Sequence, residues 1–337
     1  MITELIIKNF KSVRFVQMPC KRINVIIGEP NSGKSNILEA LALQSQNAFT
    51  NEKLNTDMFR YKTVGDLYYD FKIEDAIAVI TNVSSGVLEY EIGENGHIYD
   101  TFRFTLLKRN ANGEIKGNPD NNQLKLDHSG RVLTPHFATT NVRFYEYKRL
   151  KKFQYSYVPF LYPPYGENLP TLLLSNNKIK KWVSDFYASK GFILTLKPTE
   201  QDLTLSKMID GELYSYPYFT VSETLQRIVF YEIAILSNKD AVLLFDEPES
   251  NTFPFYTKFI AEQIALDENN NQYFITTHNP YLLLSLIEKT PFEELNVCIA
   301  TMEDYETKLT VLDEAQIREV IDLNSDVFFN FDNILAK

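Results

Sequence analysis

The residues Gly28-Glu29-Pro30-Asn31-Ser32-Gly33-Lys34-Ser35 place two glycines, a lysine and a serine in the G-x-x-x-x-G-K-[ST] spacing of a phosphate-cradling loop. Gly28 and Gly33 allow the backbone amides to close around a polyphosphate, and a helix starting directly behind them offers its positive N-terminus. Lys34 then reaches the β- and γ-phosphates, and the Ser35 hydroxyl helps to hold Mg²⁺. A second group lies far downstream, where Asp246-Glu247-Pro248-Glu249 follows the apolar run Ala241-Val242-Leu243-Leu244-Phe245. Adjacent carboxylates divide two jobs: Asp246 completes the Mg²⁺ shell with Ser35, and Glu247 polarises an attacking water as general base. His278, in Thr277-His278-Asn279-Pro280, is placed to touch the γ-phosphate and report its presence. The bland alternatives are a solvated turn for Asp246-Glu247 and an ordinary polar contact for His278. The phosphate loop upstream, with both groups at strand ends in the right order, favours the chemical reading.

Chemistry of this kind needs parallel strands ending at one edge. Ile23-Asn24-Val25-Ile26-Ile27 reads as a buried strand feeding the loop, and 36–46 reads as a helix with Ile37, Leu38 and Leu41 on one face. The run 241–245 is a strand apolar enough to be buried on both faces, and the acidic residues leave its C-terminal end, where open α/β sheets bind ligands. Further strands are predicted over 3–8, 13–16, 273–276, 296–300 and 308–312, with helices over 177–189, 222–237, 255–266 and 314–321. Between 67 and 147 the pattern changes to short alternating segments with turn signals at 94–96, 112–113, 119–121 and 129–130, the mark of an antiparallel β layer. Residues 157–175, rich in Tyr, Pro and Leu, read as a linker into a second lobe, with short strands near 192–196 and 203–208. Thr220 and Glu223 have the spacing of a capping box for the helix that follows.

Bulk properties narrow the class. A chain of 337 residues carries 44 acidic and 34 basic side chains, a formal net charge of −10, which argues against a surface coated with phosphate-binding lysines but leaves room for a local basic groove. The segment Arg143 to Phe153 mixes cations with aromatics, as a single-strand-binding surface does, but the negative overall charge favours a strand with packed rings and solvated lysines. No apolar run is long enough to span a membrane, and no basic flank precedes an apolar leader, so no membrane partner is expected. Cys20 and Cys298 form no metal-ligand pattern and read as buried free thiols in a reducing, cytoplasmic setting.

With these motifs in this order, the chain resembles the ATP-binding-cassette-type (ABC-type) ATPases of the RecF, SMC and OLD-nuclease group, often filed among AAA-like ATP-binding proteins. Leu5 to Ser12 looks like that group's opening strand and loop, Gly28 to Ser35 its Walker A, Val242 to Glu247 its Walker B, and Thr276 to Pro280 its switch histidine segment. Pro163 to Leu169 is similar to a segment often seen in short members. The resemblance implies an α/β P-loop NTPase of ABC/RecF type, with a mixed central sheet flanked by helices, an antiparallel β layer and a helical signature lobe. It implies one head over 1–337: a Walker A lobe over 1–155 with the β layer inserted at about 63–150, and a lobe over 156–337 carrying the signature helix, Walker B and the switch histidine.

It further implies ATP and Mg²⁺ as ligands, with Gly28, Asn31, Ser32, Gly33, Lys34, Ser35 and Asn36 lining the nucleotide. A homodimer or higher homo-oligomer sandwiches ATP between Walker A of one subunit and the signature Val221 to Gln226 of the other, where Ser222 meets the γ-phosphate. Thr224 stands where the signature glycine is usual, and Thr252-Phe253-Pro254 replaces the usual Leu-His-Pro. By position Lys11 matches a basic residue that reaches nucleotide in repair members, though a surface lysine fits it as well, and Gln154 best fits the order of the glutamine that joins the metal shell. After His278 come 59 residues (337 − 278), occupied by the last strands and helix, and neither a TOPRIM nuclease domain nor a long coiled coil is expected. The implied activity is ATP hydrolysis that controls a macromolecule in trans, an effector in bacterial anti-phage defence. The alternatives are a RecF-like repair ATPase that binds DNA, and a nucleotide-gated scaffold with negligible turnover.

Overall fold

The computed structural model describes all residues except 46, 51, 92–100, 111, 117–121, 135–139, 155, 336 and 337, so the turns expected at 94–96 and 119–121 lie outside the described residues. Strands β1 (Glu4–Phe10) and β2 (Val13–Pro19) form a hairpin, and β3 (Ile23–Gly28), buried at every position, runs into helix α1 (Lys34–Ala42). Strands β4 (Ile77–Thr81), β5 (Ser84–Glu91), β6 (Thr101–Arg109), β7 (Ile115–Lys116) and β8 (Gln123–Asp127) follow, then β9 (Val142–Tyr145). Helices α2 (Leu169–Ser175) and α3 (Asn177–Ala188) lead to β10 (Ile193–Lys197), β11 (Asp202–Ile209) and β12 (Glu212–Pro217). Then come α4 (Glu223–Ser237), β13 (Val242–Asp246), α5 (Pro254–Ala265), β14 (Gln272–Thr276) and α6 (Pro280–Lys289). Strands β15 (Leu295–Glu303) and β16 (Glu306–Val311) and helices α7 (Glu314–Leu323) and α8 (Phe331–Leu335) close the chain.

The site is organised by a six-stranded sheet in the order β16-β15-β3-β14-β13-β9, parallel except for β16. Side chains on its strands alternate between two cores, as a period of two requires. Leu243 and Phe245 of β13, with Tyr273 and Ile275 of β14, face a core shared with α4, α5 and α6. Leu244 and Phe274 face a core shared with α1 and a seven-stranded antiparallel sheet. That second sheet runs β2-β1-β4-β5-β6-β7, with β8 also on β6. Both faces of β13 and β14 are thus dry, which fixes their C-terminal ends without dependence on surface contacts. Truncating Phe245 or Phe274, both fully buried, costs roughly 3–5 kcal/mol.

Several elements depart from the sequence-based expectations. The antiparallel layer takes in β1 and β2, while β9 leaves it and pairs in parallel with β13, Tyr145 opposite Phe245. Local alternation cannot distinguish these memberships, because they depend on long-range pairing. Helix α2 forms inside the expected linker, and β12, exposed along its whole length, adds a third strand to a small sheet with β10 and β11. The capping box of Thr220 with Glu223 does not form: Ser222 is the N-cap of α4, and the Thr220 hydroxyl donates to the Pro217 carbonyl at 2.7 Å. Among the described residues no helix is long and apolar enough to cross a membrane.

Candidate active site

The loop after β3 is shaped by close approach. Gly28 has φ +154 and a Cβ there would strike the Ala300 carbonyl of β15; Gly33 has φ +87 and a Cβ would strike the Thr307 hydroxyl of β16. Both positions therefore require glycine on conformational and steric grounds. Gly33 is the N-cap of α1 and supplies no side-chain cap, so the first-turn amides of the helix stay available to an anion. Ser32, 2% exposed, has a hydroxyl with no hydrogen-bond partner. A bare cradle and an orphaned buried hydroxyl fit a phosphate group.

Lys34 Nζ donates to the carbonyls of Gly28 at 2.9 Å and Glu29 at 2.7 Å, which holds the ammonium across the mouth of the loop. Burial lowers its proton affinity, and the Glu247 and Asp246 carboxylates oppose that. Ser35 Oγ donates to Asp246 Oδ1 at 3.1 Å, and the Thr276 hydroxyl donates to the same oxygen. Burial raises the proton affinity of Asp246, while the Thr276 and Ser35 hydrogen bonds work the other way. A hydroxyl and one carboxylate suit Mg²⁺, which keeps waters and takes phosphate oxygens for the rest of its shell. Among the described residues no cluster of three or more His, Cys, Asp or Glu side chains is positioned to bind a metal without such help.

Glu247 leaves β13 in left-handed backbone, φ +44, a strained setting of the kind found at functional sites. Its amide donates to the Thr276 carbonyl at 3.1 Å, and its carboxylate meets His278 Nδ1 at 2.9 Å and Ser250 Oγ at 3.2 Å. Directly after His278, the Asn279 side chain caps α6 by accepting from the amides of Tyr281 at 2.8 Å and Leu282 at 3.3 Å, with Pro280 as first helical residue. Behind this pair Glu249, 3% exposed, accepts the Thr277 hydroxyl through Oε1 and leaves Oε2 without a partner. Burial pushes that carboxyl up to about 7.

The other sequence-derived candidates are placed as follows. Asn31 is exposed at the loop tip with φ +65. Asn36 Nδ2 donates to Ser12 Oγ at 2.7 Å, and Ser12 Oγ meets Thr307 Oγ1 at 2.7 Å, so Asn36 braces the loop from below. Lys11 sits in an ion pair with Glu39 of α1, whose other oxygen takes Arg60 at 2.7 Å; a contact from Lys11 to nucleotide requires that pair to open. Ser222 is exposed, and its hydroxyl makes no hydrogen bond among the described residues. The structure does not bring Gln154 to Ser35 and Asp246: its amide donates to the Glu167 carbonyl at 2.8 Å and it lines a separate surface cavity with Asp57 and Tyr162. The residue level with Asp246 on the neighbouring strand is Glu146, next after Tyr145 of β9. Its proton affinity is raised by desolvation first and then by Asp246, although the residue as a whole stays exposed. Sequence reasoning missed it because only the parallel pairing of β9 with β13 puts it there. In the same segment Phe144 and Tyr145 are buried, so the reading as a strand with packed rings describes these two.

The family model described as "AAA domain, putative AbiEii toxin, Type IV TA system" matches residues 23–285. The chain belongs to that family. Among solved structures, an Smc head bound to the C-winged helix domain of ScpA is similar over 94% of this chain and 99% of its own, at 16% identity and a TM-score of 0.53. A Pyrococcus furiosus Smc head with an extended coiled coil, bound to the C-terminal domain of ScpA, overlaps 95% of this chain and 98% of its own, at 15% identity and a TM-score of 0.49. No curated protein sequence matches the chain. The AAA domain described here therefore has the fold of the SMC head, the fold that the resemblance implies.

Proposed function

We propose that this AAA domain hydrolyses ATP and uses the nucleotide to close a dimer that controls a partner macromolecule. The observation that carries the reading is the convergence of three strand ends: Lys34 behind β3, the Ser35–Asp246 contact of 3.1 Å, and the Glu247–His278 contact of 2.9 Å. Gly28 to Ser35 bind the phosphates, and Lys34 moves from its two carbonyls to phosphate oxygens. Ser35 and Asp246 hold Mg²⁺, which neutralises phosphate charge when bound. Glu247 accepts the proton of the attacking water, and His278 orients that carboxylate. Ser222 of a second copy closes over the γ-phosphate, a role supported by an exposed hydroxyl that has no hydrogen-bond partner among the described residues. The family description names a type IV toxin–antitoxin system, which supports an effector protein in trans as the controlled partner.

Phosphate release and light scattering on wild type and Glu247→Gln test this. The wild type should release phosphate with Mg²⁺ and ATP, and the variant should bind ATP, stop releasing phosphate and remain longer as a dimer. A wild type that releases no phosphate, alone or with its co-purifying partner, defeats the enzymatic reading and leaves a nucleotide-gated scaffold.

A further inference from the structure

The contact between Glu247 and His278 Nδ1, 2.9 Å long, lies where water competes for it: the His278 side chain is 57% exposed and that of Glu247 36%. Exposed contacts between charged or polar side chains hold little geometry by themselves. The backbone on either side has to supply it. Glu247 is fixed through its amide, which reaches the Thr276 carbonyl at 3.1 Å and the Thr276 hydroxyl at 3.2 Å. His278 lies in the turn between β14 and α6. There the Thr277 amide donates to the Ile26 carbonyl at 3.1 Å and the Asn279 amide to Thr277 Oγ1 at 2.9 Å.

The Thr277 hydroxyl at the centre of that turn donates to Glu249 Oε1. Glu249 belongs to the other turn, the one that carries Glu247, and its own backbone is pinned ahead of α5. Its carbonyl accepts the Thr252 hydroxyl at 2.6 Å and the Thr252 amide at 3.0 Å. One side chain thus ties the turn after β13 to the turn after β14. Thr277 is fully buried and Glu249 nearly so, which makes this tie dry where the Glu247–His278 contact is wet. A mere fastening needs one acceptor, yet Glu249 also buries a bare Oε2, at a desolvation cost that a hydroxyl would avoid. After burial and its hydrogen bonds, the groups acting on its proton affinity are His278, which lowers it, and Glu247, which raises it. The carboxyl therefore lies within electrostatic reach of both.

We propose that Glu249 is a positioning residue for hydrolysis, the buried strut that keeps His278 Nδ1 on the Glu247 carboxylate. The inference deepens the proposed function and rests on Glu247 as the general base. Glu249 acts through Thr277 and needs no contact with nucleotide, so its loss slows the reaction without weakening ATP.

Phosphate release, ATP affinity and the ring-nitrogen NMR signals of isotope-labelled histidine test this in wild type, Glu249→Ala, Glu249→Gln and Thr277→Val. The chain has four histidines, and His278→Gln identifies the signal of His278. Glu249→Gln keeps an acceptor for the Thr277 hydroxyl, whereas the other two variants each remove one end of the same bond. Glu249→Ala and Thr277→Val should each lower kcat by about tenfold, leave the Kd for ATP unchanged, and shift His278 Nδ1 toward the signal of a free imidazole. The double variant should lose no more than either single one, and Glu249→Gln should stay within about twofold of wild type. Thr277→Val conserves volume, so it decides the matter if Glu249→Ala does not fold. Wild-type kcat or an unshifted His278 signal in Thr277→Val, or a loss of ATP affinity that accounts for the loss of rate, overturns the strut and leaves the hydrolytic reading standing. A wild type that releases no phosphate overturns the hydrolytic reading, and the His278 signal alone then decides whether Glu249 positions the ring.

Discussion

The loop half of the site and the signature half are built differently. On the loop half the charged and metal-facing side chains already have partners, Lys34 on the Gly28 and Glu29 carbonyls, Ser35 on Asp246 and Glu247 on His278, and the Ser32 hydroxyl is the group left bare. On the signature half Ser222 caps α4 without a side-chain bond, and Phe253 and Phe255 stand 69% and 66% exposed at the start of α5. The two halves meet within one chain at the turn after Walker B, where the Thr224 hydroxyl reaches the Asn251 carbonyl at 3.4 Å and the Ser250 amide returns to the Glu247 carbonyl at 3.0 Å. The first half is organised by the chain itself. The second leaves its serine and two aromatic rings exposed, and on the proposed function a second copy completes it, exposed aromatics being usual anchors of protein interfaces.

That contrast can be broken by cutting each half separately. The largest effect is expected from Lys34→Ala, which removes a charged donor from the loop and should lower ATP affinity by about a hundredfold in a titration with a fluorescent analogue. If binding survives, the loop is not the nucleotide site. Ser222→Ala should leave the affinity of the monomer for ATP unchanged and weaken the ATP-dependent dimer by about tenfold, measured by sedimentation. An effect on monomer affinity would place Ser222 on its own chain's nucleotide and erase the contrast. Phe253→Ala should act in the same direction on the dimer and leave nucleotide binding alone, with little change in thermal stability because the ring is exposed.

The smallest effect concerns the buried carboxyl behind Glu247. Glu249 is pushed up to about 7 by burial, so between the usual glutamate range and pH 7 the folded chain binds more protons than the unfolded one. Stability should fall as pH rises through that window, since the unfolded state ionises first. Glu232, pushed up to about 8 by burial, extends the same trend. In scanning calorimetry Glu249→Gln should reduce the loss of Tm between pH 5 and pH 8 by about 2 °C. A slope unchanged by the substitution would show that the carboxyl is not held neutral.

Much of the loop half was legible in the sequence because its chemistry is local. Gly28, Gly33, Lys34 and Ser35 sit within one turn, and the apolar run before Asp246 announces a strand buried on both faces. The Ser35–Asp246 and Glu247–His278 contacts then follow from β3, β14 and β13 lying side by side. The rest depends on pairings between distant segments. Glu146 was hidden because alternating residues around Arg143 read as part of the antiparallel layer, whereas β9 pairs with β13. Lys11 was assigned by its place after β1, and only the fold shows the ammonium turned to Glu39. Gln154 was chosen by order along the chain, and a loop held by the Glu167 carbonyl takes it elsewhere.

Mixing two inactive variants tests most directly whether the halves meet across a dimer. Lys34→Ala lacks a working loop and keeps Ser222; Ser222→Ala lacks the signature serine and keeps the loop. Neither alone should release phosphate at an appreciable rate. Mixed in equal amounts, half of the dimers carry one intact composite site, so phosphate release should recover to as much as about a quarter of the wild-type rate. No recovery in a mixture shown to form heterodimers would contradict a site shared between two copies.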